Sequence, residues 1–215
     1  MIVSMWMASE LVTVAPETSI IDAAALMTAK HVRRLPVVAS HSQYLGLIGI
    51  VSASDLHRAF PPDVNPFGPR PEAFLTSTTV ADIMQRHPII TTPESPIEEA
   101  ARIMRDRKIG ALPVVRDETL VGLITESDIF RAFVSILASA SGGVRVTFDL
   151  SKSEDILDLV SKLARLHNVR VHSLITAQQR DRHVCVVRLT GVAVEALIDD
   201  LWKSGHQVLN VLRLL

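Results

Sequence analysis

The chain repeats itself, and an internal duplication restricts the possible folds more than any single motif does. Pro16–Met27, PETSIIDAAALM, recurs as PESPIEEAARIM at Pro93–Met104. RLPVV at Arg34–Val38 recurs as ALPVV at Ala111–Val115, with the same offset of 77 residues. GIVSASDLHRAF at Gly49–Phe60 recurs as GLITESDIFRAF at Gly122–Phe133, offset by 73 because the first copy carries a longer hairpin. What one copy folds into, the other must also fold into. Copies of roughly 45 residues hide too little apolar area alone, so the two should pack on each other.

Spacing within each copy sets its elements. Ile20, Ala23, Ala24 and Met27 fall on one stripe of a helix, and Ile97, Ala100, Ala101 and Met104 repeat it. Pro16-Glu17 and Pro93-Glu94 precede these helices, where proline and acidic residues are favoured. Two short apolar runs follow, Leu35–Ala39 and Leu45–Val51 around the polar turn His41–Gln43, with Asp117-Glu118 as the turn of the second copy. Asp55 and Asp128, each after a Ser, open a closing helix, so the unit reads strand, helix, strand, strand, helix. Five prolines between Pro61 and Pro71 predict an exposed, semi-rigid connector.

After Ser139–Gly143, a second boundary in which Ser141-Gly142-Gly143 is the expected pivot, the pattern changes. Val144, Val146 and Phe148 alternate with polar residues as a half-buried strand, and Ile156, Leu159, Val160 and Leu163 make a helical stripe stopped near Asn168. Val169–Thr176 and His183–Thr190 read as strands around Gln178–Arg182. Val194, Leu197, Ile198 and Leu201 form a second helix ending at Gly205, before a last strand at Gln207–Leu214. The order βαββαβ is the ferredoxin-like split βαβ arrangement. The expected fold is α+β, with one repeat at 1–60, a linker at 61–79, the second repeat at 80–136 and a third domain at 144–215.

Composition narrows the chemistry. Lys+Arg 22 against Asp+Glu 23 gives a net charge of −1, and aromatics are 4%, which argues against nucleic acid and membrane surfaces as partners. The lone Cys185, alternating with Val184 and Val186, excludes an internal disulfide framework and reads as a core or interface thiol. No window of ~18 apolar residues predicts a membrane span. Met1–Met7 lacks the charged region of a signal peptide, so a cytoplasmic location is expected. The eight histidines show no metal-binding spacing, and there is no P-loop, GxSxG or GxGxxG. The expectation is a protein that is not an enzyme, with no metal and no catalytic cofactor.

The repeats carry further identifying residues: Asp82-Ile83-Met84, the two Leu-Pro-Val-Val blocks, and Gly49-Ile50-Val51-Ser52-Ala53-Ser54-Asp55 with its counterpart Gly122-Leu123-Ile124-Thr125-Glu126-Ser127-Asp128. In these the chain resembles a tandem CBS-domain pair, or Bateman module, over about residues 5–135. The C-terminal segment looks like an ACT-type ligand-sensing domain, although its turn Asp149–Ser153 lacks the glycine of ligand-binding members. This domain order is similar to acetoin-utilisation-type regulatory proteins.

The CBS resemblance implies an adenine nucleotide (AMP, ADP, ATP or related) as regulatory ligand, in clefts between the copies. One cleft would use Thr125 and Asp128 with Arg33, Arg34 and Leu35, and with His31 nearby. The other would use Ser52 and Asp55 with Gly110, Ala111 and Leu112, and only Lys108 for charge. Carboxylates would take the ribose hydroxyls, hydroxyls and helix N-termini the phosphate. The arginine pair predicts that the Thr125/Asp128 cleft holds the more highly charged nucleotide. Asp55 and Asp128 also suit a helix cap, a role compatible with binding. Expected partners are a second copy of the chain and an unidentified regulated protein. The alternative is a structural dimerisation module with vestigial clefts.

Overall fold

In the computed structural model, residues 1–40, 45–68, 77–138, 142–150, 156–179 and 182–214 are described. The chain divides into two compact units, Met1–Arg131 and Ala132–Leu215. The turn His41–Gln43, most of Asp149–Ser153 and residues Ser139–Ser141 of the second boundary lie outside the described residues.

The first unit begins with a single 3₁₀ turn, Val3–Met5, followed by α1 (Ile20–Ala29), β1 (Arg34–Ser40), β2 (Leu45–Ser52) and α2 (Ala53–Ala59). A short α3 (Val80–Ile83) and β3 (Gln85–Arg86) lead into α4 (Ile97–Arg107), β4 (Ala111–Arg116), β5 (Thr119–Thr125) and α5 (Glu126–Ala138), the last of which runs past Arg131, where the first unit ends. The helical stripes are buried as their spacing demands: Ile20 and Ala23 at 0%, Ala24 at 1% and Met27 at 2% exposure, with Ile97, Ala100 and Met104 below 4%. Ala101 is only half-buried. The proline-glutamate pairs lie further out than expected. Helix α1 is capped by Ser19 and α4 by Pro96, so Asp22, Glu98 and Glu99 supply the acidic first turns.

Sheet order β1-β2-β5-β4 is symmetric about the β2–β5 junction, where Gly46 faces Thr119, and β3 adds to β2. Both hairpins slip register at equivalent points, between Val37 and Val38 and between Val114 and Val115. The leading strand of each copy is reduced to one residue: Val14 bridges Val37, and Thr91 bridges Val114.

The lead-in segments change places, which spacing alone had not suggested. Val3 and Ser4 donate backbone N–H bonds to Ser95 and Pro93 of the second copy (both 2.9 Å). Val80 and Ala81 donate to Thr18 and Pro16 of the first (2.8 and 2.9 Å). Val3 and Val80 are fully buried. The glycines that open the shared motif explain themselves here. A Cβ on Gly49 would stand 2.6 Å from Sδ of Met84, and one on Gly122 2.4 Å from Sδ of Met7. Each copy keeps a bare backbone so that the other lead-in's methionine can lie on it.

Within the described part of the connector (residues 61–68), Pro61, Pro62, Asp63 and Asn65 are exposed. Val64 and Phe67 pack against the core of the first copy, and the Phe67 ring meets His57 edge-on with centroids 5.0 Å apart.

The second unit runs β6 (Gly143–Asp149), α6 (Ile156–Leu166), β7 (Arg170–Gln179), β8 (Arg182–Thr190), α7 (Val194–Lys203) and β9 (Val208–Leu214). Its strands are antiparallel neighbours in the order β7-β8-β6-β9, leaving β7 and β9 as edges. Phe148, Val146, Cys185, Val187, Leu189, Leu197 and Leu201 are fully buried at its centre. Burial pushes the Cys185 thiol above its usual pKa, as expected of a packing cysteine. Asn168 stops α6 in the left-handed region at φ 52°, and Gly142, Gly143 and Gly205 also have positive φ. The β7–β8 hairpin is longer than expected, with Gln178 and Gln179 paired to His183 and Arg182. Among the described residues, no helix is long and apolar enough to cross a membrane.

Because each lead-in belongs to the opposite copy's core, Val3→Ala and Val80→Ala should each cost about 2 kcal/mol in urea unfolding. A loss within about 0.5 kcal/mol for Val3→Ala, as at an exposed position, would contradict the docking of the first lead-in.

Candidate functional site

Strand register brings the candidate residues together. Arg34 at the start of β1 is opposite Ser52 at the end of β2, and Ala111 is opposite Thr125 in the same way. The backbone ties are equivalent too: Ala53 N–H donates to Arg33 O (2.9 Å), and Glu126 N–H to Gly110 O (3.2 Å). His31 and Lys108 end their helices at matching places, both in the left-handed region with φ 53°.

The carboxylates sit at N3 of their helices rather than at the cap. Ser52 caps α2, and its hydroxyl and backbone N–H both donate to Asp55 Oδ2 (2.6 and 2.8 Å), while Asp55 N–H returns a bond to Ser52 Oγ (3.3 Å). Thr125 and Asp128 repeat this with 2.7, 2.9 and 3.3 Å. The second oxygen of each carboxylate takes an ion pair from the arginine one turn on, Arg58 for Asp55 and Arg131 for Asp128. Those guanidinium side chains are 74% and 65% exposed, so the pairs are worth at most about 1 kcal/mol and can be exchanged for other donors.

A capping box does not by itself mark a site. Ser19–Asp22 and Thr79–Asp82 each make two of these three bonds elsewhere in the unit: both hydroxyls donate to the carboxylate, joined by Asp22 N–H to Ser19 Oγ in one and Thr79 N–H to Asp82 Oδ2 in the other. There the backbone N–H and hydroxyl of Thr79 hold the exposed Asp82 carboxyl below the usual carboxylate range. Place in the fold separates the candidates from these. One cavity of about 840 Å³ is lined by Ser52 and Asp55 from the first copy, Thr125 and Glu126 from the second, and by His31, Arg33, Arg34, Lys108, Gly110 and Ala111.

Both expected clefts therefore open into a shared space. Asp128 is not among the lining residues, and its side chain is 13% exposed. Leu35 and Leu112 are fully buried and do not line it either. The sequence reading missed Glu126, whose counterpart in the first copy is Ala53, and Ala8, Gln85, Pro88 and Ile89 from the exchanged lead-ins and the segment after β3. Only the exchange itself places those residues here. Three permanent cations, Arg33, Arg34 and Lys108, face the space with two carboxylates, Asp55 and Glu126. The wall thus offers the Ser52–Asp55 hydroxyl–carboxylate pair, the Thr125 hydroxyl and the Glu126 carboxylate beside guanidinium groups, a set suited to a polyol carrying an anion. Among the described residues, no group of three His, Cys, Asp or Glu side chains is placed to hold a metal ion.

Comparison with known proteins identifies the family of the repeats. The family model of the CBS domain matches residues 3–62 and 80–135. The chain is 32% identical over 126 residues to a homoserine O-acetyltransferase of Methanohalobium evestigatum, covering 58% of this chain and 22% of that protein. It is 31% identical over 176 residues to an inosine-5'-monophosphate dehydrogenase of Korarchaeum cryptofilum, covering 76% of this chain and 33% of that one. The chain thus spans between a fifth and a third of these two enzymes.

Among solved structures, a CBS domain pair in complex with 5-methylthioadenosine and S-adenosyl-L-methionine superposes with a TM-score of 0.52 at 26% identity, covering 62% of this chain and 95% of that one. A Vibrio cholerae protein assigned to acetoin utilization gives 0.52 at 30%, covering 64% and 93%. The protein CBSX2 in complex with AMP gives 0.50 at 27%, covering 63% and 98%. The chain belongs to the CBS domain family, of which its first unit holds two copies in tandem.

Proposed function

We propose that the chain is a non-catalytic regulatory protein that binds an adenine nucleotide between its CBS copies and passes the resulting change to its C-terminal unit or to a partner. The observation that carries this reading is the cavity, whose volume lies within the range of small-molecule sites and whose wall joins the Ser52–Asp55 pair and the Thr125 hydroxyl to guanidinium groups. Support also comes from relatives of this fold crystallised with AMP and with adenosine-derived ligands.

In this reading, Asp55 and Asp128 take the vicinal ribose hydroxyls by releasing the exposed Arg58 and Arg131. Ser52 and Thr125 stand at helix N-termini where a phosphate is favoured. Arg34 and Ala111, which precede the buried Leu35 and Leu112 and line the cavity, contribute backbone groups to the base edge. Thr125 and Asp128, with Arg33 and Arg34, hold the more highly charged nucleotide, while Ser52 and Asp55 with Gly110 and Ala111 hold the weaker one.

The βαββαβ unit takes the role of an ACT-like domain, and its open edge strands β7 and β9 pair with a second copy, removing an exposed edge. Such a protein shifts between two states only by the difference in ligand affinity between them.

Calorimetric titration with ATP, ADP and AMP tests the assignment. Asp128→Ala should weaken ATP binding by at least about tenfold, the loss of charge-assisted bonds to the ribose, and should do so more than Asp55→Ala does. Abolished binding in Asp55→Ala with full binding in Asp128→Ala would reverse it. Native mass spectrometry separates sensing from pure assembly: a dimer that carries nucleotide supports the proposal, and a dimer that takes up none at millimolar ATP sinks it.

A further inference from the structure

Positions related by the duplication carry unlike side chains at the cavity. Arg34 corresponds to Ala111 and Arg33 to Gly110, while on the closing helices Ala53 corresponds to Glu126. A long cation thus stands in the first copy and a carboxylate in the second, with small residues in the exchanged places.

Gly110 shows where the cation goes. A Cβ on Gly110 would lie 2.1 Å from Nη2 and 3.0 Å from Cζ of Arg34, and 2.9 Å from Oε2 of Glu126. The guanidinium of the first copy therefore crosses to the second and lies on the bare backbone of Gly110, near the Glu126 carboxylate but not ion-paired with it. All three residues line the same cavity. A side chain of any size at 110 would remove that resting place, as an arginine does at the equivalent position 33 of the first copy.

Resting on the nucleotide reading above, we propose that Arg34 is a movable latch that selects phosphorylated ligands. Without an anion it lies over Gly110 beside Glu126. A phosphate, which offers more charge and bidentate geometry than one carboxylate, draws it into the cavity. Glu126 is then a built-in competitor: it lowers the affinity for phosphate and makes the guanidinium's position depend on what is bound. A nucleoside without phosphate gains nothing from the movement. Gly110 provides the room on which the exchange depends.

A double-mutant cycle on the full chain tests this, with AMP, adenosine and inorganic pyrophosphate as titrants. Arg34→Gln should reduce the preference for AMP over adenosine by at least about tenfold, as loss of a bidentate charged contact does. Glu126→Gln should raise AMP affinity by about threefold or more, and Gly110→Ala, which evicts the guanidinium from its resting place, should act in the same direction. Both gains should vanish in combination with Arg34→Gln.

If Glu126→Gln has the same effect with and without Arg34→Gln, or if the AMP-to-adenosine preference is untouched by Arg34→Gln, the latch is overturned while nucleotide binding stands. Pyrophosphate binding that depends on Arg34, without response to AMP or adenosine, keeps the latch and refutes the adenine site. Failure of all three titrants to bind refutes both.

Discussion

Two glycines without side chains hold the first unit in its arrangement. At Gly49 and Gly122 the strand backbone lies against the sulfur of a methionine from the other copy's lead-in, at a distance no Cβ would permit. Each contact is reinforced by backbone bonds from the same lead-in, Val80 and Ala81 to the first copy and Val3 and Ser4 to the second. Neither copy can complete its core from its own contiguous sequence. The duplication is thereby turned into a single cooperative body, and residues brought in by the exchange, Ala8 and Gln85 among them, become part of the cavity wall.

Within that body the carboxylates have two uses that do not conflict. One oxygen of Asp55 and of Asp128 closes the cap of a helix, which fixes where the side chain points. The other oxygen is held by an exposed arginine whose departure costs little. Stability thus comes from the buried half of the interaction, and adaptability from its exposed half. The charge distribution shows the same division. A net charge of −1 over the chain conceals three permanent cations on one cavity wall, so the local field and the total charge call for different partners.

Much of the fold was legible because burial is periodic. The stripe Ile20, Ala23, Ala24, Met27 and the alternation Val144, Val146, Phe148 are written in spacing, and spacing decides which face meets the core. Ser52, Asp55 and Thr125 were legible as candidates because the motif occurs twice. The sequence could not separate capping from binding, since Ser19–Asp22 and Thr79–Asp82 use the same residue types for capping alone. The exchange of lead-ins left no periodic trace, because it is made of backbone bonds between remote segments and a methionine lying on a glycine. Glu126 is illegible for a related reason: it departs from the repeat, and only what the copies share stands out in the sequence. In the connector, prolines forbid regular structure but do not prevent Val64 and Phe67 from packing on the first copy's core.

The second unit buries its core without the first, through Phe148, Cys185 and the inner faces of α6 and α7. Its place in the account depends on whether the cavity is a ligand site at all. The most direct measurement is a crystal structure of the full chain grown with AMP. The account predicts a ribose whose hydroxyls lie within hydrogen-bonding distance of Asp55 or Asp128, with Arg58 or Arg131 released and Arg34 turned from Gly110 toward the phosphate. Capping boxes, arginine pairs and Arg34 all unmoved, with AMP absent from the cavity at saturating concentration, would contradict it.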